Sequence, residues 1–399
     1  MSRHSTDILI SGGGIAGLTA AASFGAAGFS VVCVDPAPPV TEQADPKSDL
    51  RTTAFLQPAR QTLMDAGLWE RLADYAAPLQ IMRIVDAGGE TPEPRIIKDF
   101  DAAEISDLPF GWNLPNWLLR REILAQLETM PNVTFRAGVA TQNIVTREAE
   151  ALVSLSDGSR YATQLLIGAD GRNSHVRRAH GIDVKTMRYG QKALAFSVEH
   201  YLEHHNISTE VHRSGGPFTL VPLPSREGRH FSAVVWMNEG PEIERLAALP
   251  EAEFEEEMSA RSAHILGPLK LATRRSKWPI ISQIAHRMTA QRTALMAEAA
   301  HVVPPIGAQG LNMSLGDLRV LRELAVQNPD QIGSTQMLDT YENNRMREAK
   351  IRVSGVDLLN RASMLGAQGW RDLRAEALTG LYAFTPLRKG LMRAGLGAR

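Results

Sequence analysis

The chain of 399 residues holds one cysteine, Cys33. A single thiol cannot form an internal disulfide, so no covalent staple supports this fold. With no signal peptide in evidence, the expected setting is a reducing cytoplasm. Cys33 lies in an apolar run, which makes it a buried structural thiol rather than a reactive one. No apolar stretch approaches the ~20 residues that span a bilayer, so a membrane-crossing helix is excluded. Lys and Arg number 43 against 44 Asp and Glu, for a formal net charge of -1. That balance gives no electropositive footprint, and nucleic acid is not an expected partner. Internal repeats, low-complexity linkers and a GxSxG nucleophile elbow are also missing. His200, His204, His205 and His212 crowd one segment. Adjacent histidines on a strand point to opposite faces, so no metal centre is expected there.

What is present is an ordinary globular composition, 44% hydrophobic and 22% charged, in a chain long enough for two domains. Its most informative segment comes first: DILISGGGIAGLTAAASFGAAGFSVVCVD, Asp7 to Asp35. Ile8 to Ile10 read as a buried strand. Gly12, Gly14 and Gly17 form GxGxxG around Ile15 and Ala16, and Leu18 to Phe24 continue as a helix. Gly12 serves the tight turn, Gly14 lets backbone approach a pyrophosphate, and Gly17 allows close helix–strand packing. The phosphates belong at the helix N-terminus, where free N–H groups and the dipole favour anions. A second strand, 30–34, ends at Asp35, placed to accept hydrogen bonds from an adenosine ribose. The pattern predicts a dinucleotide site.

Further along, Gln57 to Tyr75 read as a helix with Leu63, Leu68 and Leu72 on one side. Residues 79–114 are rich in Pro, Gly and Asp with short β-like runs, an excursion from the nucleotide domain. Leu118 to Met130 read as a helix and Val133 to Phe135 as a strand. Ile144 to Ser156 and Tyr161 to Ile167 read as a hairpin turning at Asp157-Gly158. The stretch 193–237 is strand-like. Glu242 to Ser262 is an acidic helical stretch whose EAEFEEEM run is a solvated face. Gly316 to Gln327 and Met337 to Leu359 read as helices. The nucleotide domain is therefore expected to be discontinuous, 1–78, 115–180 and 275–350. A substrate domain would come from the insertions 79–114 and 181–274, and 351–399 would form a C-terminal helical segment.

Two more glycine-bearing segments follow in order. LLIGADGRNSHVRR, Leu165 to Arg178, is a strand ending in Gly168-Ala169-Asp170-Gly171 and running into a short helix. Taken alone it is an Asp-Gly turn. ALMAEAAHVVPPIGAQGLNMSLGD, Ala294 to Asp317, contains Pro304-Pro305-Ile306-Gly307-Ala308-Gln309-Gly310-Leu311-Asn312. Taken alone it is a proline–glycine loop that starts a helix. Its N–H groups around Gly310, Leu311 and Asn312 are suited to stabilise negative charge on a flat ring.

Together the three segments resemble the class A, single-component FAD aromatic hydroxylases: GxGxxG, GADGxxSxVR and PPxGxQGxN occur in that order. Within that class the chain is most similar to the ubiquinone-biosynthesis ring hydroxylases. RTTAF at Arg51, WLLRREILAQL with Arg120 and Arg121, GGPFTLVPLP at Gly215 to Pro224 and the tail TPLRKGLMRAGLG at Thr385 to Gly397 carry the narrower likeness, which covers nearly the whole chain. The resemblance implies an α/β fold, with an FAD-binding Rossmann-like core and an inserted β-rich substrate domain. It implies FAD as cofactor, NAD(P)H as a transient reductant, and hydroxylation of a polyprenylated phenol by way of a flavin C4a-hydroperoxide.

The resemblance also implies residue roles. Gly12, Gly14, Gly17 and Asp35 would hold the ADP half. Arg51, Arg121 (preferred to Arg120), Asp170 with Arg177 in support, and Glu298 would serve the pyrophosphate and ribityl region. Gly307, Gly310, Leu311 and Asn312 would face the isoalloxazine. Phe218, Leu220, Pro222, Pro304 and Pro305 would contact a lipophilic aromatic substrate. One departure stands out: the family's Gly-Asp before Ala-Ala-His is Ala297-Glu298 here. A bent or lost hydrogen bond there is worth ~1–2 kcal/mol, about tenfold in FAD affinity. His301 reads as a structural residue or a base, with structure favoured because the flavin does the chemistry.

The C-terminal stretch, Leu381 to Arg399, mixes apolar and basic residues and fits either a membrane or partner surface or a helix packed on the chain's own core. A peripheral place at the inner face of the membrane, near other ubiquinone-biosynthesis proteins, is compatible with it. Two other readings stay open: a hydroxylase of another phenol, and a non-catalytic scaffold that binds FAD poorly. Halogenases carry a WxWxIP-like signature that does not occur here.

Overall fold

Val31–Asp35 holds three valines and a cysteine before its closing aspartate, and all but the last are buried. Such a run needs cover on both faces, which a parallel sheet provides. In the computed structural model, which describes residues 3–89, 91, 93–364 and 368–396, that sheet is the first of two. Its path runs Thr289–Ala290, Thr293–Leu295, Arg160–Gly168, Arg3–Ser11, Val31–Asp35, Val133–Ala137. The central pairs are parallel. The Ala-rich helix Ile15–Ala26 is buried almost all round, packed between this sheet and the helices Gln57–Asp65, Asn116–Leu127 and Gln309–Gln327.

The second sheet is mostly antiparallel. Its path is His301–Val302, Ser276–Ala285, Val184–His200, Arg229–Glu239, Pro217–Arg226, Ile207–His212, Ile81–Asp86, Ile96–Asp101. The two insertions thus meet in one sheet, joined by the parallel pair of Ile207–His212 and Ile81–Asp86. One face is covered by Gly240–Ala248 and Glu251–Arg261, which bury Leu194, Phe196, Phe218, Leu220, Val234 and Trp236. A three-stranded sheet, Thr52–Leu56, Gly111–Pro115 and Ala77–Leu79, bridges the two. The fold is α/β, a parallel-sheet core with an inserted β-rich domain.

Several elements differ from expectation. The helix expected over 57–75 is three pieces: Gln57–Asp65, Trp69–Leu72 and a 3₁₀ turn at Ala73–Tyr75. Gly67, at φ +68°, reverses the chain while the Leu68 amide donates to Leu63 O and the Gly67 amide to Met64 O, a glycine-terminated helix end. The strand expected over 144–156 is two, Thr141–Thr146 and Ala151–Leu155, closed by Arg147 N donating to Glu150 O. The turn at Asp157-Gly158 is as expected. The acidic stretch is two helices broken at Pro250, which cannot continue the first. The helix expected from Gly316 begins at Gln309. His204 and His205 lie in a turn rather than on a strand, with His205 at φ +47°. Among the described residues no group of His, Cys, Asp or Glu is arranged to hold a metal, and no helix is long and apolar enough to cross a membrane.

The tail packs on the chain's own core. Thr385–Leu396 buries Met392 and Leu396 against Leu56, Phe100, Ala102 and Phe110. Gly397 and Arg399 lie outside the described residues.

Candidate functional site

Register builds the site. Ser11 pairs with Gly168 and Val34, and Gly168 pairs with Leu295. Four parallel strands therefore end at one edge, and the segments that leave them (12–17, 35, 169–171 and 296–298) emerge side by side. In open α/β sheets the ligand crevice lies outside such carboxyl ends.

The glycines are held by contact as much as by conformation. Gly12 has φ +117°, and a Cβ there would stand 2.3 Å from Ala169 O; one on Gly17 would stand 1.9 Å from Gly12 O. The first and second motifs are thus packed backbone to backbone. At Gly14 nothing lies within 4 Å of the Cβ position. Gly14 is also the N-cap of helix Ile15–Ala26, and no side chain caps that helix. Its first N–H groups stay available to an anion. Asp35 Oδ2 accepts from Gly13 N at 2.6 Å and Oδ1 from Ala37 N at 2.8 Å, which fixes the carboxylate beside the loop.

Asp170 uses half of its carboxylate. Oδ2 accepts from His175 N (2.7 Å) and Val176 N (3.0 Å), and Oδ1 is buried without a partner. Arg177 is buried and donates to Ala299 O (2.8 Å) and Arg172 O (2.9 Å), tying the second motif to the third.

Arg51 makes a two-pronged bond to Asp49, both contacts 2.8 Å, and its guanidinium lies 3.8 Å from the centre of the Trp278 ring. Burial opposes the Asp49 charge, but the Arg51 hydrogen bond and charge, with Asn116 and Arg120, hold its carboxyl below the usual range. It is Arg120, 3.5 Å from Asp49, that joins this cluster. Arg121 turns away to Glu122 and the rings of Tyr75 and Trp117, because successive helical residues diverge by about 100°. Glu298 is exposed and lies within electrostatic reach of Arg51. Ala297 beside it adopts φ +56°, the left-handed region that the family's glycine fits without cost.

In the third motif Gly307 (φ +62°) and Ala308 (φ +56°) turn the chain into helix Gln309–Gln327, whose N-terminus also has no side-chain cap. Gly307 and Gly310 are exposed, and nothing lies within 4 Å of a Cβ on Gly310. The Asn312 side chain is not free for a ring. It donates to Ala54 O (2.7 Å) and Ala308 O (2.6 Å) and accepts from Leu56 N (2.8 Å), pinning the helix start to the bridging sheet. Leu311 is half-buried against the core. Pro304 is buried and Pro305 exposed.

The expected substrate strand presents its other face. Phe218, Leu220 and Pro222 share the helix-covered side, where Phe218 is 0% exposed and packs edge-on to Trp236 at 5.3 Å. Thr219, Val221 and Leu223 alternate to the opposite side, beside Val235 and Ala233. That side also carries Ala193 and Met237, which pack with Ile280, Ile306 of the third motif and Val356. Trp278, opposite Ala193, lies on it too. The half-exposed Thr219, Val221 and Val235 are thus on the face that meets the Pro304–Gly310 loop. The sequence reading placed Arg120 second to Arg121 and did not single out Asp49, Trp278 or this face of the strand; even–odd alternation marks two faces of the strand without distinguishing them.

His301 is 3% exposed and bonded to Asp317 (2.6 Å), which also holds Arg345 (2.8 Å). It belongs to a buried ionic cluster beneath the loop helix.

Comparison with known proteins decides the family. The family described as the FAD binding domain matches residues 5–354. The chain belongs to it. As a member of the FAD-binding family it is an FAD-dependent monooxygenase of the aromatic-hydroxylase class. It is similar to "Ubiquinone hydroxylase UbiL" of Rhodospirillum rubrum, 31% identical over 395 residues, covering 98% of this chain and 89% of that one. It is also similar to "3-demethoxyubiquinol 3-hydroxylase" of Escherichia coli, 27% identical over 365 residues, covering 90% of each. The crystal structure of p-nitrophenol 4-monooxygenase PnpA from Pseudomonas putida superposes with a TM-score of 0.79 over 100% of both chains at 19% identity, a likeness of fold.

The residues of this FAD-binding monooxygenase fit its cofactor. Two uncapped helix N-termini, open space at Gly14 and Gly310, and the orphaned Asp170 Oδ1 supply N–H donors for phosphate and ring and an acceptor for a hydroxyl.

Proposed function

We propose that this chain hydroxylates the aromatic ring of a polyprenylated phenol, an intermediate of ubiquinone biosynthesis, using FAD, O2 and NAD(P)H as reductant. The observation that carries the substrate class is the half-exposed apolar face of Thr219, Val221 and Val235 set against the Pro304–Gly310 loop. A lipophilic ring gains from burial on such a face. The names of the relatives supply the pathway.

In this reading residues 1–78, 115–180 and most of 275–350 hold FAD, and the insertions form the substrate wall. The uncapped N–H groups at Gly14, Ile15 and Ala16 bind the pyrophosphate, and Asp35 takes the ribose. Asp170 Oδ1 accepts from a ribityl hydroxyl, and Arg51 and Arg120, held by Asp49, supply positive charge nearby. FAD, when bound, supplies the electron transfer and oxygen activation that no side chain here provides. The N–H groups at the start of Gln309–Gln327 stabilise negative charge at the ring they face. Val221, Val235, Pro305 and Ile306 orient the phenol and keep water from the reacting centre. The protein works at the cytoplasmic face of a membrane in peripheral contact with it, alongside other enzymes of the pathway.

The test is product analysis with a polyprenylated phenol and the same phenol without its tail. A kcat/KM at least about tenfold higher for the prenylated ring is expected. Preference for the bare phenol would remove the proposed substrate class.

A further inference from the structure

Helix Thr385–Leu396 contains Arg388, Lys389 and Arg393 and no acidic residue. Its inner face is fixed. Met392 and Leu396 are buried, Arg388 pairs with Glu104 (2.6 Å) and donates to Tyr382 O (2.8 Å), and Gln309 of the third motif donates to Gly395 O (3.3 Å). At 100° per residue the direction opposite Met392 falls on Gly390 and Ala394, both exposed. Phe384, Leu387 and Leu391 line one flank of this flat ridge, 60%, 46% and 45% exposed. Lys389 and Arg393 line the other.

A rigidly anchored helix has little reason to keep three large apolar side chains in water in one stripe. The small Gly390 and Ala394 keep the outer face low, so the apolar flank and the basic flank reach one flat surface together. Its outward charges are all positive, complementary to anionic headgroups.

We propose that this helix docks the protein flat on an anionic phospholipid bilayer, with Phe384, Leu387 and Leu391 in the headgroup–acyl boundary and Lys389 and Arg393 on the headgroups. The proposal names the surface used by the peripheral contact proposed above and rests on that reading for its lipophilic substrate. The dock and the active site share one support: Gly395 and Leu396 contact Gln309 and Leu56, which flank the start of the loop helix.

The test is co-sedimentation of the full, FAD-loaded chain with vesicles of phosphatidylcholine and phosphatidylglycerol in equal parts, against phosphatidylcholine alone. Binding to the mixed vesicles should be tighter by on the order of tenfold and weaken with salt. L387S/L391S should weaken binding about tenfold. K389E/R393E should abolish the preference for the anionic vesicles, and both variants should keep the parent's melting temperature. Absence of binding at low salt, or variants that bind like the parent, would overturn the proposal. So would a fall in sedimentation coefficient on L387S/L391S without vesicle binding, which would assign the stripe to a second copy. Hydroxylation of a soluble phenol without vesicles should be unchanged in L387S/L391S. A failed hydroxylation assay with intact vesicle binding would count against the enzymatic reading alone.

Discussion

His301 Nε2 stands 2.6 Å from Asp317 Oδ2, and the other oxygen of that carboxylate takes Arg345 Nε at 2.8 Å. Asp317 is fully buried and His301 and Arg345 nearly so. The cluster joins the residue that follows Ala-Ala in the third motif to the helix the motif starts and to the long helix Thr335–Met364 behind it. Asp317→Asn takes the fully buried carboxylate from Arg345 and leaves it only the half-exposed Glu348, and a loss of about 3 kcal/mol is expected in urea unfolding. Burial alone would raise the Asp317 carboxyl, but His301 and Arg345 outweigh it and hold the group below the ordinary range. A depressed folded value means this contribution is complete above about pH 4 and is lost as pH falls through the lower folded value. His301→Gln should cost stability and leave the spectrum of bound FAD in place.

Asp170 divides its carboxylate between the backbone of the following helix and an unpartnered oxygen. Asp170→Ala should lower stability by about 1–2 kcal/mol through the lost cap. It should also weaken FAD binding by at least about tenfold through the lost acceptor. Fluorescence titration at a temperature where the variant is folded separates the two. Unchanged FAD affinity would remove Asp170 from the cofactor site.

Ala297, at φ +56°, occupies a conformation that costs an L-residue about 1 kcal/mol. A297G/E298D restores the family's pair. The double variant is expected to bind FAD about tenfold more tightly than the parent, by the same fluorescence titration. No gain would mean that the longer Glu298 side chain already serves the site.

The two faces of strand Pro217–Arg226 should respond differently. Phe218→Ala empties a packed position under two helices and should cost about 3–4 kcal/mol in unfolding. Val221→Asp places a charge on the half-exposed opposite face. It should raise KM for a prenylated phenol about tenfold or more while changing stability little. The reverse pattern would put the substrate on the wrong side of the sheet.

His200, His204 and His230 have ring centres 6.0–6.4 Å apart. His204 accepts from Asn206 N at Nδ1 and faces Leu223 O at Nε2, which fits only the neutral ring. Desolvation lowers both His200 and His204, repulsion from neighbouring imidazoles adds to it, and the backbone hydrogen bonds at Leu202 and Leu223 only partly oppose it. Their contribution is complete above about pH 6.5 and is lost as pH falls through the lower folded values. The melting temperature should therefore drop between pH 7.5 and 5.5, and less so in H200Q/H204Q.

The sequence was legible where local rules act alone. The strand–glycine–helix unit at 7–35, the turn at Asp157-Gly158 and the three motifs read correctly because each couples composition to a fixed backbone geometry. Segments broken by one residue were less legible. Gly67 and Pro250 divide stretches whose apolar spacing continues across the break. The choice between Arg120 and Arg121 needed the phase of helix Asn116–Leu127 relative to Asp49, a contact that spans 71 positions of chain. Which face of strand 217–226 meets the cofactor domain depends on where two distant helices pack, and alternation alone gives two faces without saying which is which.

The most direct test is hydroxylation under ¹⁸O₂. The FAD-loaded protein is given NAD(P)H and a prenylated phenol, and the product is weighed by mass spectrometry. The account predicts a ring-hydroxylated product carrying one atom of the label, with no product when FAD is omitted. Reductant consumption without labelled product, or a hydroxyl drawn from water, would contradict it.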